Sequence, residues 1–230
     1  MKYIYNSLHY ITLYFMPFIL IFLSLNFGLV EDNSFTIFPY KNKFYKIDFK
    51  EVSYLDQGIW KTYLNHNFDL KSFKFDFIEN DEILYLISSG GGKVIEFKNN
   101  NLQIIDNSQE WDSRYESDYF IKNDTIFSFG GYGYFNFKND LLYFDKTIGE
   151  WFLYDRLSQV DKRSKHVGYF NSSLDKYFIG FGINHEGNLK DFISYNFENN
   201  KIEEIGSLNI NIENYFIVKN FGIPLIITKK

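Results

Sequence analysis

The stretch that decides the fold is residues 125–154, TIFSFGGYGYFNFKNDLLYFDKTIGEWFLY. It contains a short apolar strand, a glycine pair, a second strand with a tyrosine, a polar turn and a tryptophan. Its apolar runs consist mainly of β-branched and aromatic residues, which favour extended strands. Glycines between two such runs indicate that the chain reverses direction there. The stretch therefore predicts a unit of antiparallel strands.

Two other stretches repeat this pattern. ILYLISSGG (residues 83–91) and KYFIGFG (residues 176–182) align with TIFSFGG (residues 125–131). We assign Gly90, Gly130 and Gly182 as the first glycine of each unit. One strand precedes each glycine-containing strand and two strands follow it, so each unit has four strands. Four strands in about 40–50 residues is the period of a β-propeller blade.

The body of the chain from residue 34 onward shows no helical periodicity. Short apolar runs alternate with Gly, Asn, Asp and Lys, which is typical of an all-β protein with tight turns. Residues 33–70 carry no marks of the repeat but can form strands of another blade, and residues 214–230 resemble the opening hairpin of a further unit. The predicted strands are 83–87, 94–97, 102–105, 126–129, 141–144, 151–154, 177–181 and 192–195.

The composition excludes several classes of function. The chain has 230 residues and a net charge of −5, with mixed charges and no basic run, so we expect no nucleic-acid partner. It has no cysteine, which rules out disulfides, thiolate metal sites and a cysteine nucleophile. Aromatic residues make up 21% of the chain. Because Phe and Tyr are common throughout, an aromatic cluster alone is weak evidence for a ligand platform.

The N-terminal segment, residues 1–32, predicts targeting to a membrane. A mostly apolar run begins at Ile11 and ends at Val30, long enough for a helix that spans the hydrocarbon core. We favour an uncleaved membrane anchor with the C-terminal part exported, and a cleaved signal peptide that yields a secreted or periplasmic protein is the alternative. Residues 33–230 would then form the propeller part.

The repeated unit resembles the kelch repeat, whose marks are a glycine pair, a later tyrosine and then a tryptophan. The stretch 125–154 carries all of them, and the other units carry some. The positions that match are Gly90 and Gly91 in one unit, Gly130, Gly131, Tyr143 and Trp151 in the next, and Gly182 and Tyr195 in the third. Arg163 and His166 fit the Arg…His pair that often opens a kelch unit, and Arg114 is the corresponding arginine of the middle unit.

The resemblance implies a β-propeller related to the central domain of galactose oxidase. Such propellers close into rings of 4–8 blades, whereas this sequence shows about three units plus partial ones. We therefore expect an incomplete ring, explained by a truncated or split reading frame or by a partner chain that completes it.

The resemblance also implies candidate functions and sites. Copper radical chemistry in this superfamily needs a cysteine cross-linked to a tyrosine, which this chain cannot supply. We expect a non-catalytic binding role toward a protein or a glycan, with no cofactor and no metal. The alternatives are part of a carbohydrate-active enzyme similar to sialic-acid mutarotases, or a gene remnant. Channel-lining candidates for ligand contact are Arg114, Arg163 and His166; His185, Glu186 and Asp191 are too few for a convincing metal site.

Overall fold

The structure is a computed structural model that describes residues 35–69, 73–90, 93–108, 114–207, 215–218 and 225–228. Every regular element among these residues is a β-strand, and the larger sheets are antiparallel meanders. The predicted all-β class is therefore confirmed. The predicted N-terminal hydrophobic helix lies outside the described residues.

Four sheets have four strands each, and all of them follow the chain in order. Sheet 1 contains β1 to β4, which are Phe35–Tyr40, Lys43–Asp48, Glu51–Asp56 and Ile59–Asn65. Sheet 2 contains β5 to β8, which are Phe75–Asn80, Ile83–Ser88, Val94–Lys98 and Asn101–Ile104. Sheet 1 is a complete four-stranded sheet, so the residues without repeat marks form a unit as regular as its neighbours.

Sheets 3 and 4 each carry a small extra hairpin between their second and third strands. Sheet 3 contains β9 (Asp118–Lys122), β10 (Thr125–Phe129), β13 (Asp140–Asp145) and β14 (Glu150–Arg156), with the hairpin β11 (Tyr132–Gly133) and β12 (Asn136–Phe137). Sheet 4 contains β15 (Val167–Asn171), β16 (Lys176–Gly180), β19 (Asp191–Asn196) and β20 (Lys201–Ser207), with the hairpin β17 (Ile183–Asn184) and β18 (Gly187–Asn188). A final hairpin pairs β21 (Tyr215–Val218) with β22 (Leu225–Thr228), as the sequence predicts for this region.

Tight turns connect the strands within the sheets. The pairs Lys41–Asn42, Asn99–Asn100 and Asn123–Asp124 have φ between 45° and 63° at both residues. Two consecutive residues with positive φ form the turn that suits the right-handed twist of a two-residue hairpin, and asparagine adopts this conformation more readily than most residues. These polar pairs therefore fix the registers of the hairpins.

The sheets stack face to face in chain order, and each interface is apolar. One buried cluster joins sheets 1 and 2, a second joins sheets 2 and 3, and a third joins sheets 3 and 4. Strand β6 shows how one strand serves two interfaces: Leu84 and Leu86 belong to the first cluster, whereas Tyr85 and Ile87 belong to the second. Because side chains alternate between the two faces of a strand, a sheet between two others is apolar on both faces.

The same polar link recurs between successive sheets, at the turn that joins the first and second strands. Tyr40 donates a hydrogen bond to the carbonyl oxygen of Glu82. Asn80 donates to Asp124 at 2.8 Å, and Lys122 pairs with Asp175. The donor is in each case the last residue of a first strand, and the acceptor lies in the corresponding turn of the next sheet. Successive sheets are therefore related by a similar displacement.

The first strands of the sheets lie next to one another, since β9 is beside both β5 and β15. The last strands β4, β14 and β20 are largely exposed. Sheets that converge at their first strands and expose their last strands are compatible with the blades of a propeller. All first strands begin at the same end of the stack, which we call the hairpin face because it also carries β11–β12 and β17–β18. The opposite face carries the turns between first and second strands.

Candidate functional site

Arg163, a sequence-predicted ligand contact, is held in a buried ion pair. Its side chain is fully buried, and its two terminal nitrogens donate to the two carboxylate oxygens of Asp191 at 3.0 and 2.7 Å. It also donates to the carbonyl oxygens of Phe181 and Asp161, each at 3.0 Å. A planar guanidinium suits such two-pronged binding of a carboxylate. The arginine therefore fixes the loop before β15 to the start of β19.

Arg114 makes a related arrangement, with fewer and longer hydrogen bonds, one sheet earlier. Its guanidinium donates to the carbonyl oxygen of Gly130 and to Asp140, both at 3.3 Å. Burial raises the pKa of Asp140, but hydrogen bonds from Arg156 and the positive charge of Arg114 outweigh burial, so that its pKa is lowered overall. We call the Arg114–Asp140 and Arg163–Asp191 pairs the two arginine clasps. Their recurrence confirms that sheets 3 and 4 are equivalent units.

His166 is fully buried and lies against Phe129 of the preceding sheet, with ring centroids 5.2 Å apart. A Cβ added to Gly130 would lie 2.8 Å from the His166 ring and 2.8 Å from the carbonyl oxygen of Arg163. Glycine at this position therefore lets the loop of sheet 4 pack closely onto sheet 3. The three predicted ligand contacts share the hairpin end of the stack, but they lie inside it.

The strand registers place two of the glycine marks differently from the sequence alignment. The amide of Gly130 bonds to the carbonyl oxygen of Asp140, and the amides of Phe181 and Ser88 make the same bond at the start of their third strands. Gly182 therefore corresponds to Gly131, and the position of Gly130 is occupied in sheet 4 by Phe181, which has a φ of 59°. Gly90 lies two positions beyond Ser88, and Gly91 is outside the described residues.

The aromatic marks of the repeat pack between the sheets. Trp151 contacts the cluster between sheets 2 and 3, and its indole nitrogen donates to Asp106 at 3.2 Å. Burial raises the pKa of Asp106. Tyr195 is buried between sheets 3 and 4 and donates to Asp155 at 3.0 Å. In the ladders Tyr195 corresponds to Phe144 rather than to Tyr143, because each pairs with the second residue of the preceding strand.

The His185–Glu186 pair lies at the tip of the β17–β18 hairpin. The His185 ring contacts Phe137 of the neighbouring hairpin edge-on, with centroids 4.8 Å apart. Asp191, which the sequence offered as a third metal ligand, has both oxygens on Arg163. Over the part of the chain that the structure describes, no group of three or more His, Asp or Glu side chains is placed to hold a metal ion.

The tip of the β11–β12 hairpin is the exposed feature that sequence reasoning missed. Tyr134 and Phe135 are 58% and 86% exposed, with φ values of 50° and 63°. Bulky residues rarely adopt this conformation, which costs about 1 kcal/mol or more per residue. The signal in the sequence is YGYFNF itself: a two-residue turn at Tyr134–Phe135 contains none of the usual turn residues.

Further aromatic side chains lie in the β11–β12 hairpin and in the segments next to it. Tyr115, in the loop before β9, is 51% exposed and is bridged through its backbone to Tyr132. Tyr132 contacts Phe137 with ring centroids 4.9 Å apart. Phe137 in turn contacts His185, so the rings connect the hairpins of sheets 3 and 4. This arrangement can bind a partner by apolar and stacking contacts.

No protein-family model matches the chain, and no curated protein is significantly similar to it. The fold itself defines a class of all-β protein, a stack of small antiparallel four-stranded sheets that is compatible with propeller blades. No helix among the described residues has the length and apolar character needed to cross a membrane, and residues 11–30 lie outside that part of the chain.

Proposed function

We propose that this protein is an exported or membrane-anchored, kelch-like propeller protein with a non-catalytic binding role, and that it binds through the hairpin face. The observation that carries this proposal is the strained, exposed aromatic tip at Tyr134 and Phe135. Strained backbone and exposed aromatic side chains both have a cost, and their coincidence in one turn is typical of binding sites.

The placement of the charged repeat residues supports a structural role for them. The arginines of both clasps are buried, at 8% exposure for Arg114 and 0% for Arg163, and their partners are carboxylates and backbone carbonyls of the same stack. A ligand that used these arginines would have to break bonds that connect the loops to the sheets. The exposed hairpins, in contrast, can contact a partner without any rearrangement.

The kelch identity is part of the proposal. Its support is the repeat of four strands, the positive φ of Gly130 and Gly131, the inter-sheet position of Trp151 and the arginine clasps. A carbohydrate-active enzyme similar to sialic-acid mutarotases is the competing proposal, and it requires ionisable groups in contact with a sugar. The buried position of His166 favours the binding role.

The test places a photo-crosslinking phenylalanine derivative at Phe135 of the full chain in cells. Leu174, which is 56% exposed in the β15–β16 turn on the opposite face, is the matched control position. We expect discrete adducts, with protein or with lipid, from position 135 and none in common from position 174. Equal adduct patterns, or none from position 135, would contradict the proposal. Turnover of a sugar by the purified chain that is lost in His166→Ala would instead support the enzyme.

A further inference from the structure

We infer that the molecule contacted by the hairpin face is a lipid bilayer, with the Tyr134–Phe135 tip inserted at the membrane–water interface. This inference rests on the proposed function and names the partner of the same face. Three independent features support it: the position at which the chain enters the sheets, the distribution of exposed aromatic residues and the convex shape of the tip.

The chain enters the stack on the hairpin face. Strand β1 starts at Phe35, and first strands start at this face in every sheet. If the apolar run that ends at Val30 crosses a membrane, as its sequence predicts, the five residues to Phe35 span at most about 17 Å when fully extended. An anchor at residues 11–30 therefore holds the hairpin face, and not the opposite face, next to the bilayer.

Exposed aromatic residues concentrate on this face. Phe49 in the β2–β3 turn is 50% exposed, and Tyr115, Tyr134 and Phe135 are each more than half exposed. The apolar residues that are more than half exposed on the opposite face are aliphatic, namely Ile59, Ile148 and Leu174, and the aromatic Trp60 there is 38% exposed. Tyrosine and other amphipathic aromatic side chains prefer the interfacial region of a membrane. The asymmetry therefore matches the side on which the anchor would lie.

The shape and charge of the tip distinguish a bilayer from other partners. Phe135 projects from a two-residue turn with most of its surface exposed, whereas a sugar is usually held in a concave site. The exposed lysines of the same face, Lys50, Lys74, Lys162, Lys165 and Lys190, outnumber the exposed acids Asp69, Asp161 and Glu186. Because the inferred contact is insertion of the apolar tip, we expect it already on vesicles of neutral phosphatidylcholine.

The absence of cysteine from the chain makes a direct test possible. The full chain is reconstituted into phosphatidylcholine vesicles with a spin label on Asn136→Cys, beside the tip, or on Leu174→Cys, on the opposite face. Electron paramagnetic resonance then compares collisions with oxygen, which partitions into lipid, and with a water-soluble nickel chelate. We expect the label at position 136 to collide more with oxygen and the label at position 174 more with the chelate.

The double substitution Tyr134→Ser/Phe135→Ser in the Asn136→Cys background provides the second measurement. It keeps the anchor and should return the label at position 136 to the aqueous pattern. Two results would overturn the inference. One is a label at position 136 that collides more with the nickel chelate than with oxygen in the chain that keeps Tyr134 and Phe135. The other is a full chain that does not float with the vesicles. Protein adducts from position 135 in the crosslinking experiment, with an aqueous label at 136, would leave the binding role intact and assign the face to a protein partner.

Discussion

The two arginine clasps show how single residues connect a loop to a sheet. Arg163 satisfies both oxygens of Asp191 and two carbonyl oxygens from a fully buried position. The sequence identified this arginine by its place in the repeat, but not its partner, because Asp191 is distant along the chain and no local pattern links the two. Such a pairing in space depends on the strand register, which the amino-acid sequence alone does not define.

Removing the carboxylate of the second clasp should be strongly destabilising. Asp191→Asn leaves the guanidinium of Arg163 buried with its charge uncompensated, which typically costs about 3 kcal/mol. Urea unfolding followed by tryptophan fluorescence measures the loss. The control is Asp56→Asn, which breaks the exposed pair with Lys61 and should change stability little. Equal effects of the two substitutions would contradict a structural role for the clasp.

The first clasp predicts a pH dependence. The pKa of Asp140 is lowered overall from its ordinary value of 3.8, so the unfolded chain binds a proton more readily than the folded chain. This contribution to stability is therefore present above about pH 4 and is lost as the pH falls through the lowered pKa. The difference in unfolding free energy between the natural chain and Asp140→Asn should shrink with acidification below that pH. A difference that is constant with pH would refute this.

For the glycines of the repeat, the sequence predicted part of their backbone conformation. Gly130 was expected to allow a sharp turn, and its φ of 68° confirms this. Gly130→Ala should cost about 1–3 kcal/mol, because the new methyl group meets the carbonyl oxygen of Arg163 at 2.8 Å. Gly206→Ala meets nothing within 4 Å and has no positive φ, so it should leave the unfolding midpoint nearly unchanged. If Gly130→Ala left stability unchanged, sheet 3 and the loop before sheet 4 would not be closely packed at this position.

At the scale of strands and hairpins, the sequence predicted the elements well and their alignment less well. Each of the eight predicted strands is present, with ends that differ by a few residues. The sequence assigned Gly182 to the position of Gly130, which the structure gives to Phe181. The residue type of a glycine is visible in a sequence, whereas the positive φ of Phe181 is not. Sheet 1 lacked repeat marks because its interface with sheet 2 is made of ordinary apolar side chains, and such packing requires no particular motif.

The contact between Trp151 and Asp106 predicts an effect at the interface of sheets 2 and 3. Trp151→Phe keeps an aromatic ring there but removes the donor to a mostly buried carboxylate. Loss of one such hydrogen bond with the acceptor left in place costs about 1–3 kcal/mol. Chemical denaturation measures this cost, with Trp60→Phe on the exposed outer strand β4 as the control. The same cost for both would argue against the inter-sheet position of Trp151.

At the scale of the whole molecule, the repeated links between neighbouring turns are the strongest indication of a propeller-like stack. Sequence periodicity predicted the number of strands in each unit, but it could not show which sheets are neighbours. The structure shows that neighbours in the chain are neighbours in space, joined by apolar clusters and by the polar link at the first turn. The hairpin face that we propose for binding follows from this order, because β11–β12 and β17–β18 both lie between the second and third strands of their sheets, at the same end of the stack.

The most direct test of this order uses pairs of introduced cysteines and a short bifunctional thiol reagent. Asn80→Cys with Asp124→Cys, and Lys122→Cys with Asp175→Cys, join adjacent sheets at the recurring link. Asn80→Cys with Asp175→Cys joins sheets that are separated by sheet 3. Mass spectrometry of the folded chain should show efficient cross-linking in the two adjacent pairs and not in the distant one. Cross-linking of the distant pair as efficient as that of the adjacent pairs would contradict the stacked arrangement.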